Sequence, residues 1–268
     1  MSFPPVRAVI FDVDGLLINS EDIYTEVYLS VLRNYGVTSF PWKIKSLQMS
    51  RGRPGTERIL KYANLDMTVE EWNALVKPHT SLFTKCQPLP GVPELLHNLT
   101  TRVQPPLQVA IASSSNSELF KLKTGHLPEV SEPIPPERRV FGSDPEMEGK
   151  SKKPAPDLFL IALGRLNKLS NAAPIAPEEC LVFEDSIAGV EAARKAGMRV
   201  VFVPHPGLQD VARGHEEDIM NGTLHTGLTL EPVEDAPAIE TGMSRDGWAE
   251  MIPSMKAFSF ERYGIRLM

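Results

Sequence analysis

The sequence predicts an α/β protein with a mainly parallel, doubly wound, Rossmann-like sheet. Short apolar runs of strand-forming residues alternate along the chain with helical patterns. This alternation is typical of parallel sheets that carry helices on both faces. The predicted strands are residues 6–11, 107–112, 180–183 and 200–203.

The predicted core helices have recognisable start and stop residues. Proline lies near the start of residues 93–99 and of residues 156–166, where its missing N–H costs little. Residues 187–196 follow the third predicted strand. Ser186 is the expected N-cap of that helix, and Gly197 is the expected residue just past its end.

A long helical insertion interrupts the alternation after the first strand. Residues 24–32 repeat apolar side chains at helical spacing, and residues 68–71 fit a capping box. We therefore expect residues 18–88 to form an all-helical inserted domain that acts as a lid. The α/β core is then split into residues 1–17 and 89–268.

Two parts of the predicted core carry weaker patterns. Residues 125–150 are rich in proline and charge and are predicted to form a long loop. The C-terminal tail, residues 207–268, is mostly polar at first. Between Trp248 and Met255 the spacing of apolar residues predicts a final amphipathic helix that packs on the core.

Composition excludes several classes of function. The 268 residues are 42% hydrophobic and 23% charged, as in soluble proteins of one large or two small domains. The net charge of −6 argues against a general binder of nucleic acid or anionic membranes. Of the two cysteines, Cys86 and Cys180, the second opens an apolar run and is predicted to be a buried thiol. With no signal peptide and no apolar stretch near the ~20 residues that span a bilayer, we expect a cytoplasmic monomer.

Two carboxylates, Asp12 and Asp14, follow the first predicted strand directly, and Gly15 closes the turn. Open α/β sheets bind their ligands at the carboxyl ends of strands. Two acids there can divide phosphoryl transfer between a nucleophile and a proton carrier, or can hold Mg²⁺. The same pattern is also ordinary turn chemistry, so the motif alone leaves both interpretations open.

Serines and lysines stand at two further strand or helix ends. Residues 113–116 follow the second strand, where hydroxyls and free N–H groups form a phosphate cradle or simply an N-cap. Lys152 and Lys153 precede Pro154 at a helix start, where the helix dipole disfavours cations. A lysine is expected there if it neutralises a phosphate or the Asp12 carboxylate; the alternative is an exposed lysine in a charged loop.

Two more acids, Glu184 and Asp185, close the third strand. They suit a divalent metal, although helix capping by Asp185 or Ser186 is equally compatible with the sequence. Together the strand ends supply a nucleophile, a proton carrier, phosphate donors, a cation and metal ligands, which phosphoryl transfer requires. No set of residues resembles a Ser-His-Asp triad, and the six histidines lack zinc-ligand spacing.

These segments resemble the haloacid dehalogenase-like hydrolases across residues 6–206, and the all-helical insertion at residues 18–88 resembles the cap domain of that family. Within that superfamily the chain looks most like the pseudouridine-5′-phosphatase-like and fungal small-phosphomonoester phosphatase branch. The resemblance to the family rests on residues 11–17, 112–115, 153–157 and 182–186. The resemblance to this branch rests on residues 14–22, 52–55 and 203–206.

The resemblance implies a role for each motif residue. Asp12 is expected to attack phosphorus and form an aspartyl-phosphate, while Asp14 protonates the leaving alcohol and then activates water. Ser113 and Ser114 are expected to bind the phosphoryl group. Lys153 is expected to offset the negative charge around Asp12.

The resemblance also implies a Mg²⁺ site. Its expected ligands are the Asp12 carboxylate, the Asp14 backbone carbonyl and Asp185, with Glu184 as a direct or water-mediated ligand. One departure concerns the lysine, because the family usually has Gly-Lys-Pro where this chain has two lysines before Pro154. The register favours Lys153, with Lys152 as a possible substitute.

The predicted function is Mg²⁺-dependent hydrolysis of a small phosphomonoester, such as a sugar, polyol or nucleoside phosphate. The expected partner is therefore a small phosphorylated metabolite. A sugar phosphomutase is the alternative, since the same site can serve it, and a non-catalytic binding module is a third hypothesis. Specificity is expected to come from residues 21–28 and 51–58, where Arg51 and Arg53 either hold an anionic leaving group or are solvated charges.

Overall fold

In the computed structural model, seven strands form one sheet within the described residues, which are 3–224, 227, 229–239 and 241–268. The strand order is β3-β2-β1-β4-β5-β7-β6, and only β6 runs antiparallel to its neighbour. The predicted α/β fold with a mainly parallel sheet is confirmed. The strands are β1 (Ala8–Phe11), β2 (Gln108–Ser113), β3 (Arg139–Phe141), β4 (Cys180–Glu184), β5 (Arg199–Phe202), β6 (Gly242–Met243) and β7 (Ala249–Met251).

Helices cover both faces of the sheet. Side chains of β1 alternate between two hydrophobic cores, with Val9 and Phe11 in one and Ala8 and Ile10 in the other. This is the pattern of a strand that is buried on both faces. The α-helices are α1 (Ser20–Leu32), α2 (Trp42–Lys45), α3 (Arg53–Tyr62), α4 (Val69–Val76), α5 (Val92–His97), α6 (Ser117–Thr124), α7 (Pro128–Ser131), α8 (Asp157–Leu169), α9 (Ile187–Lys195), α10 (Pro206–Ala212) and α11 (Glu216–Asn221).

The register of the central strands brings the motif residues to one edge. Phe11 pairs with Ile111 of β2 and with Phe183 of β4. The next residues of all three strands therefore emerge side by side at the carboxyl edge of the sheet. This edge is where ligands of open α/β sheets bind.

Helices α1 to α4 belong to the insertion and have a small core of their own, in which Trp72 is almost fully buried. The predicted capping box is present, because Thr68 and Glu71 exchange hydrogen bonds of 3.1 and 2.7 Å at the start of α4. The chain enters and leaves the insertion at adjacent points, where Ile18 bridges Pro88. The division into domains at residues 18 and 88 stays a prediction. The bridge between Ile18 and Pro88 lies at the two predicted boundaries.

Two of the weaker expectations are wrong. The predicted loop at residues 125–150 contains α7 and the three-residue strand β3, which is too short to show a periodic pattern. The predicted final helix between Trp248 and Met255 is instead β7 followed by a short 3₁₀ turn, Met255–Ala257. Pro253 explains the difference, since proline disfavours a helical conformation in its own segment and in the preceding residue.

Both cysteines are free and buried, as predicted for Cys180. No helix among the described residues combines the length and apolar composition needed to cross a bilayer. Residues 225, 226, 228 and 240 of the predicted tail lie outside the described residues.

Candidate active site

A buried lysine joins two carboxylates at the centre of the sheet edge. Asp12 follows β1 and is 1% exposed. Lys153 donates to Asp12 Oδ1, to Glu184 Oε1 at 2.5 Å and to the Ala112 carbonyl at 3.1 Å. The lysine that the register with Pro154 favoured therefore contacts the predicted nucleophile.

The neighbouring lysine has a different position. Lys152 donates to the backbone carbonyl of Ser114 at 2.9 Å and borders a cavity. Burial lowers its pKa. The structure thus distinguishes the two lysines. Lys153 balances the charge of buried carboxylates, whereas Lys152 binds the loop of residues 113–116, here called the serine loop, through the Ser114 carbonyl.

The acidic cluster carries more negative charge than Lys153 balances. Burial raises the pKa of Asp12 to about 7 against the opposing effect of Lys153, and the charges of Glu184 and Asp14 add to the increase. Burial, followed by the charges of Glu184 and Asp12, holds the pKa of Asp185 well above its usual range. Burial lowers the pKa of Lys153, but Asp12 and Glu184 outweigh it and the net shift is upward. Such a cluster favours an additional cation.

Three oxygens of this cluster are open to a ligand. Among the described residues, Asp12 Oδ2 and both carboxylate oxygens of Asp185 are buried without a hydrogen-bond donor. Buried carboxylate oxygens normally have a donor or a metal, and hard divalent cations prefer oxygen ligands. Gly15 leaves room here, since its φ is +76° and an added Cβ would lie 2.1 Å from Asp185 Oδ2. The chemistry of these donors fits a divalent cation.

Glu184 is engaged elsewhere. Its Oε1 accepts from Lys153, and its Oε2 accepts from Ser186 Oγ at 3.0 Å and from the Asp185 and Ser186 N–H groups at 3.1 Å. Ser186 also caps α9, since its hydroxyl accepts from the Gly189 N–H at 3.0 Å. Asp185 is therefore not the helix cap. Both oxygens of Glu184 already accept hydrogen bonds, whereas those of Asp185 accept none from the described residues.

The serine loop after β2 presents unpaired hydroxyls. Ser113 is buried, and its Oγ accepts from the Ser115 N–H at 3.2 Å. The hydroxyls of Ser114 and Ser115 are buried without a partner among the described residues and border the cavity. Asn116 caps α6, accepting from the Leu119 N–H at 2.7 Å. The serines are thus not needed as the N-cap and are available to a ligand.

Asp14 is held by a residue that sequence reasoning missed. Its Oδ1 accepts from Ser20 Oγ at 2.7 Å and from Lys123 Nζ at 2.6 Å. Lys123 lies on the buried face of α6, together with Phe120 and Thr124. A lysine within the apolar stripe of a helix is the sequence signal that marks such a residue, because lysine is rarely buried without a partner.

Asp12, Asp14 and the serine loop border a cavity of about 410 Å³ that the insertion closes on its far side, whereas Lys153, Glu184 and Asp185 lie behind them and are not among its described lining residues. Both segments predicted to determine specificity contribute to that far wall. Its one arginine, Arg53, pairs with Glu70 at 2.6 Å and with Glu57 at 3.2 Å; Arg51 does not border the cavity. The far wall is formed by Glu21, Tyr24, Tyr28, Gln48, Met49, Ser50, Gly52, Arg53, Thr56, Val69, Glu70 and Asn73.

Comparison with known proteins finds relatives along most of the chain. A probable pseudouridine-5′-phosphatase of Saccharomyces cerevisiae is 36% identical over 231 residues, which cover 85% of this chain and 95% of the relative. (DL)-glycerol-3-phosphatase 2 of Arabidopsis thaliana is 35% identical over 215 residues, covering 77% and 85% of the two chains.

A solved structure agrees with this similarity. The crystal structure of a HAD family hydrolase from Deinococcus radiodurans R1, with bound phosphate and sodium, has a TM-score of 0.56 and 26% identity, covering 76% of this chain and 82% of that chain. Residues 9–203 match the sequence pattern of the haloacid dehalogenase-like hydrolases. The resemblance noted from the motifs is confirmed, and the chain belongs to the haloacid dehalogenase-like hydrolase family.

Proposed function

We propose that this protein is a Mg²⁺-dependent phosphatase that hydrolyses small phosphomonoesters through an aspartyl-phosphate. The observation that carries the proposal is the Asp12 carboxylate, which is buried at the sheet edge with Lys153 on one oxygen and no donor from the described residues on the other. A carboxylate with one open oxygen beside a cavity is suited to nucleophilic attack. The phosphatases among its relatives support the same activity.

The first step transfers the phosphoryl group to Asp12. Asp12 Oδ2 attacks phosphorus, the bond from phosphorus to the leaving oxygen breaks, and Asp14 gives its proton to that oxygen. Ser113, Ser114 and the N–H groups of their loop donate hydrogen bonds to the phosphoryl oxygens. The products of this step are the free alcohol, the aspartyl-phosphate and the Asp14 carboxylate.

The second step regenerates the protein. Asp14 takes a proton from a water molecule, whose oxygen attacks the phosphorus, and the bond to Asp12 breaks. Inorganic phosphate leaves, and Asp14 is again protonated. Lys153 balances the charge of Asp12 throughout, while Glu184 holds the lysine in place through its own contacts with Ser186.

Asp185, with both oxygens open, would hold Mg²⁺, together with the Asp12 carboxylate and the Asp14 backbone carbonyl that the family resemblance implies. When bound, the ion would neutralise the acidic cluster and the charge on the phosphoryl oxygens. Because both oxygens of Glu184 are already engaged, we assign Glu184 to holding Lys153 rather than to direct ligation.

The insertion, predicted to be residues 18–88, acts in this proposal as the cap. It forms the far wall of the cavity, opposite the motif residues. A cap in this position excludes bulk water from the phosphoryl group and selects the leaving group.

The far wall favours an uncharged, hydroxyl-rich leaving group. It offers polar groups such as Gln48, Thr56 and Asn73, while Arg53 is neutralised by two glutamates. A sugar phosphomutase must hold a second phosphate in its bisphosphorylated intermediate, and the one arginine of the described far wall, Arg53, is already held by Glu70 and Glu57. Hydrolysis is therefore better supported than the mutase reaction. Pseudouridine and glycerol, which the relatives' names contain, are uncharged alcohols.

The test is an Asp12→Asn variant assayed for phosphate release from glycerol 3-phosphate, ribose 5-phosphate and uridine 5′-monophosphate, with Mg²⁺ and with EDTA. We expect turnover to fall at least about a thousandfold, because the nucleophile is lost. Asp66→Asn is the matched control, since Asp66 is exposed and lies outside the cavity wall. Wild-type turnover by Asp12→Asn, or full activity in EDTA, would contradict the mechanism.

A further inference from the structure

Lys123 is a fully buried cation that the proposed reaction has not used. Its side chain is 0% exposed, and it does not border the cavity. Removing an ammonium group from water is strongly unfavourable unless it is paired and hydrogen-bonded. The partners of Lys123 therefore indicate what it does.

Those partners connect the catalytic core with the insertion. Lys123 Nζ donates to Asp14 Oδ1 at 2.6 Å and to the Tyr24 hydroxyl at 2.8 Å. It also lies 4.5 Å from the centre of the Tyr24 ring and 4.6 Å from that of Phe83. Tyr24 and Phe83 belong to the insertion, and Tyr24 borders the cavity.

Lys123 and Ser20 bind the same oxygen of Asp14. Both donors reach Oδ1, at 2.6 and 2.7 Å. Two donors on one oxygen fix the rotation of the carboxyl group and leave Oδ2 as the oxygen available to the cavity. When Asp14 is protonated, its proton must then reside on Oδ2, because Oδ1 is occupied as an acceptor.

We propose that Lys123 is a positioning residue for Asp14: with Ser20 it holds Oδ1, so that Oδ2 carries the proton to the leaving alcohol. This inference rests on the proposed function. As the bond from phosphorus to the leaving oxygen breaks and the bond to Asp12 forms, the proton on Oδ2 passes to the leaving oxygen. Because Lys123 also donates to Tyr24 of the insertion, the orientation of Asp14 depends on the position of the insertion as well.

The test compares leaving groups. An alkoxide needs a proton as it leaves, whereas p-nitrophenolate does not. The constant kcat/KM reports the steps from binding to loss of the alcohol, so it includes this proton transfer and excludes the later hydrolysis of the aspartyl-phosphate. It is measured for the alkyl ester of the panel that the wild-type protein hydrolyses fastest and for p-nitrophenyl phosphate.

For Lys123→Met we expect kcat/KM to fall by about 100-fold with the alkyl ester, the size of a general-acid contribution, and by less than about 5-fold with p-nitrophenyl phosphate. Lys121→Met, an exposed lysine on the same helix, is the control and should leave both values unchanged. Ser20→Ala removes the other donor without unpairing a buried charge, and it should show the same selective loss at smaller size. It keeps the test decisive if Lys123→Met does not fold.

Equal losses with both substrates, in Lys123→Met and in Ser20→Ala, would mean that Lys123 only stabilises the structure and would overturn this inference alone. If the wild-type protein released phosphate from no ester of the panel nor from p-nitrophenyl phosphate, the proposed function would fail and this inference with it.

Discussion

At the scale of single residues, burial separates side chains that look alike in the sequence. Lys152 and Lys153 are adjacent, yet only Lys153 is fully enclosed between carboxylates. Glu184 and Asp185 are adjacent acids, yet Glu184 is saturated with donors while both oxygens of Asp185 are open. Position along a strand end predicts that these residues meet, but the three-dimensional contacts determine what each one does.

The two lysines give a matched pair of variants. Lys153→Met leaves the buried Asp12 and Glu184 without their cation, and removing one partner of a buried ion pair costs about 3–5 kcal/mol in the free energy of unfolding. Lys152→Met removes one hydrogen bond to a carbonyl, worth about 1 kcal/mol. Urea unfolding followed by circular dichroism checks both values. A larger loss of stability in Lys152→Met than in Lys153→Met would reverse the assignment of the two lysines.

At the scale of elements, the sequence predicts the parts of the fold that have a long or repeated pattern. Strands β1, β2, β4 and β5 and the capping box of α4 follow from apolar runs and cap residues. Strand β3 has three residues, and β7 pairs with β5 across a long stretch of polar chain, so neither has a local signal. Lys123 was missed for a related reason, because the helical pattern of α6 does not show that its buried face meets Asp14.

The junction between the insertion and the core contains a pH-sensitive contact. His205 follows β5 and stacks on Trp42 of α2, with ring centres 4.3 Å apart. Its Nδ1 accepts from the Gly207 N–H at 3.0 Å, and its Nε2 lies 3.3 Å from Asp22. Burial lowers the pKa of His205, and Lys45 adds to this, although Asp22 opposes it.

The sign of the resulting pH dependence follows from linkage. Since burial lowers the pKa of His205 in the folded protein, the unfolded chain binds this proton more readily, and stability falls as pH drops through about 6.5. In His205→Phe the ring remains while the titration is lost. We therefore expect its stability relative to wild type to improve as pH falls from 7.5 to 5.5, as measured by urea unfolding. A constant difference across this range would show that His205 titrates alike in both states.

At the scale of the whole molecule, the insertion is tied to the core at several separate places. The bridge between Ile18 and Pro88 joins its two ends, and Lys123 joins Tyr24 to Asp14. The tail adds a contact beyond the family match, which ends at residue 203, since the Leu230 N–H donates to the Lys43 carbonyl at 2.9 Å. The position of the cap in the proposed function is thus set by core, insertion and tail together.

The open carboxylates connect metal binding to the stability of the whole molecule. A ligand that binds only the folded state stabilises it in proportion to the logarithm of its concentration over its dissociation constant, about 2.7 kcal/mol at a hundredfold excess. We expect Mg²⁺ to raise the Tm of the wild-type protein and to leave that of Asp185→Asn unchanged, because Asp185 supplies two of the three open oxygens. Glu184→Gln should lower the Tm by weakening the contact with Lys153 but should keep the Mg²⁺-induced increase. Thermal unfolding with Mg²⁺ and with EDTA distinguishes these outcomes. If Glu184→Gln lost the Mg²⁺-induced rise in Tm while Asp185→Asn kept it, the roles assigned to the two acids would have to be exchanged.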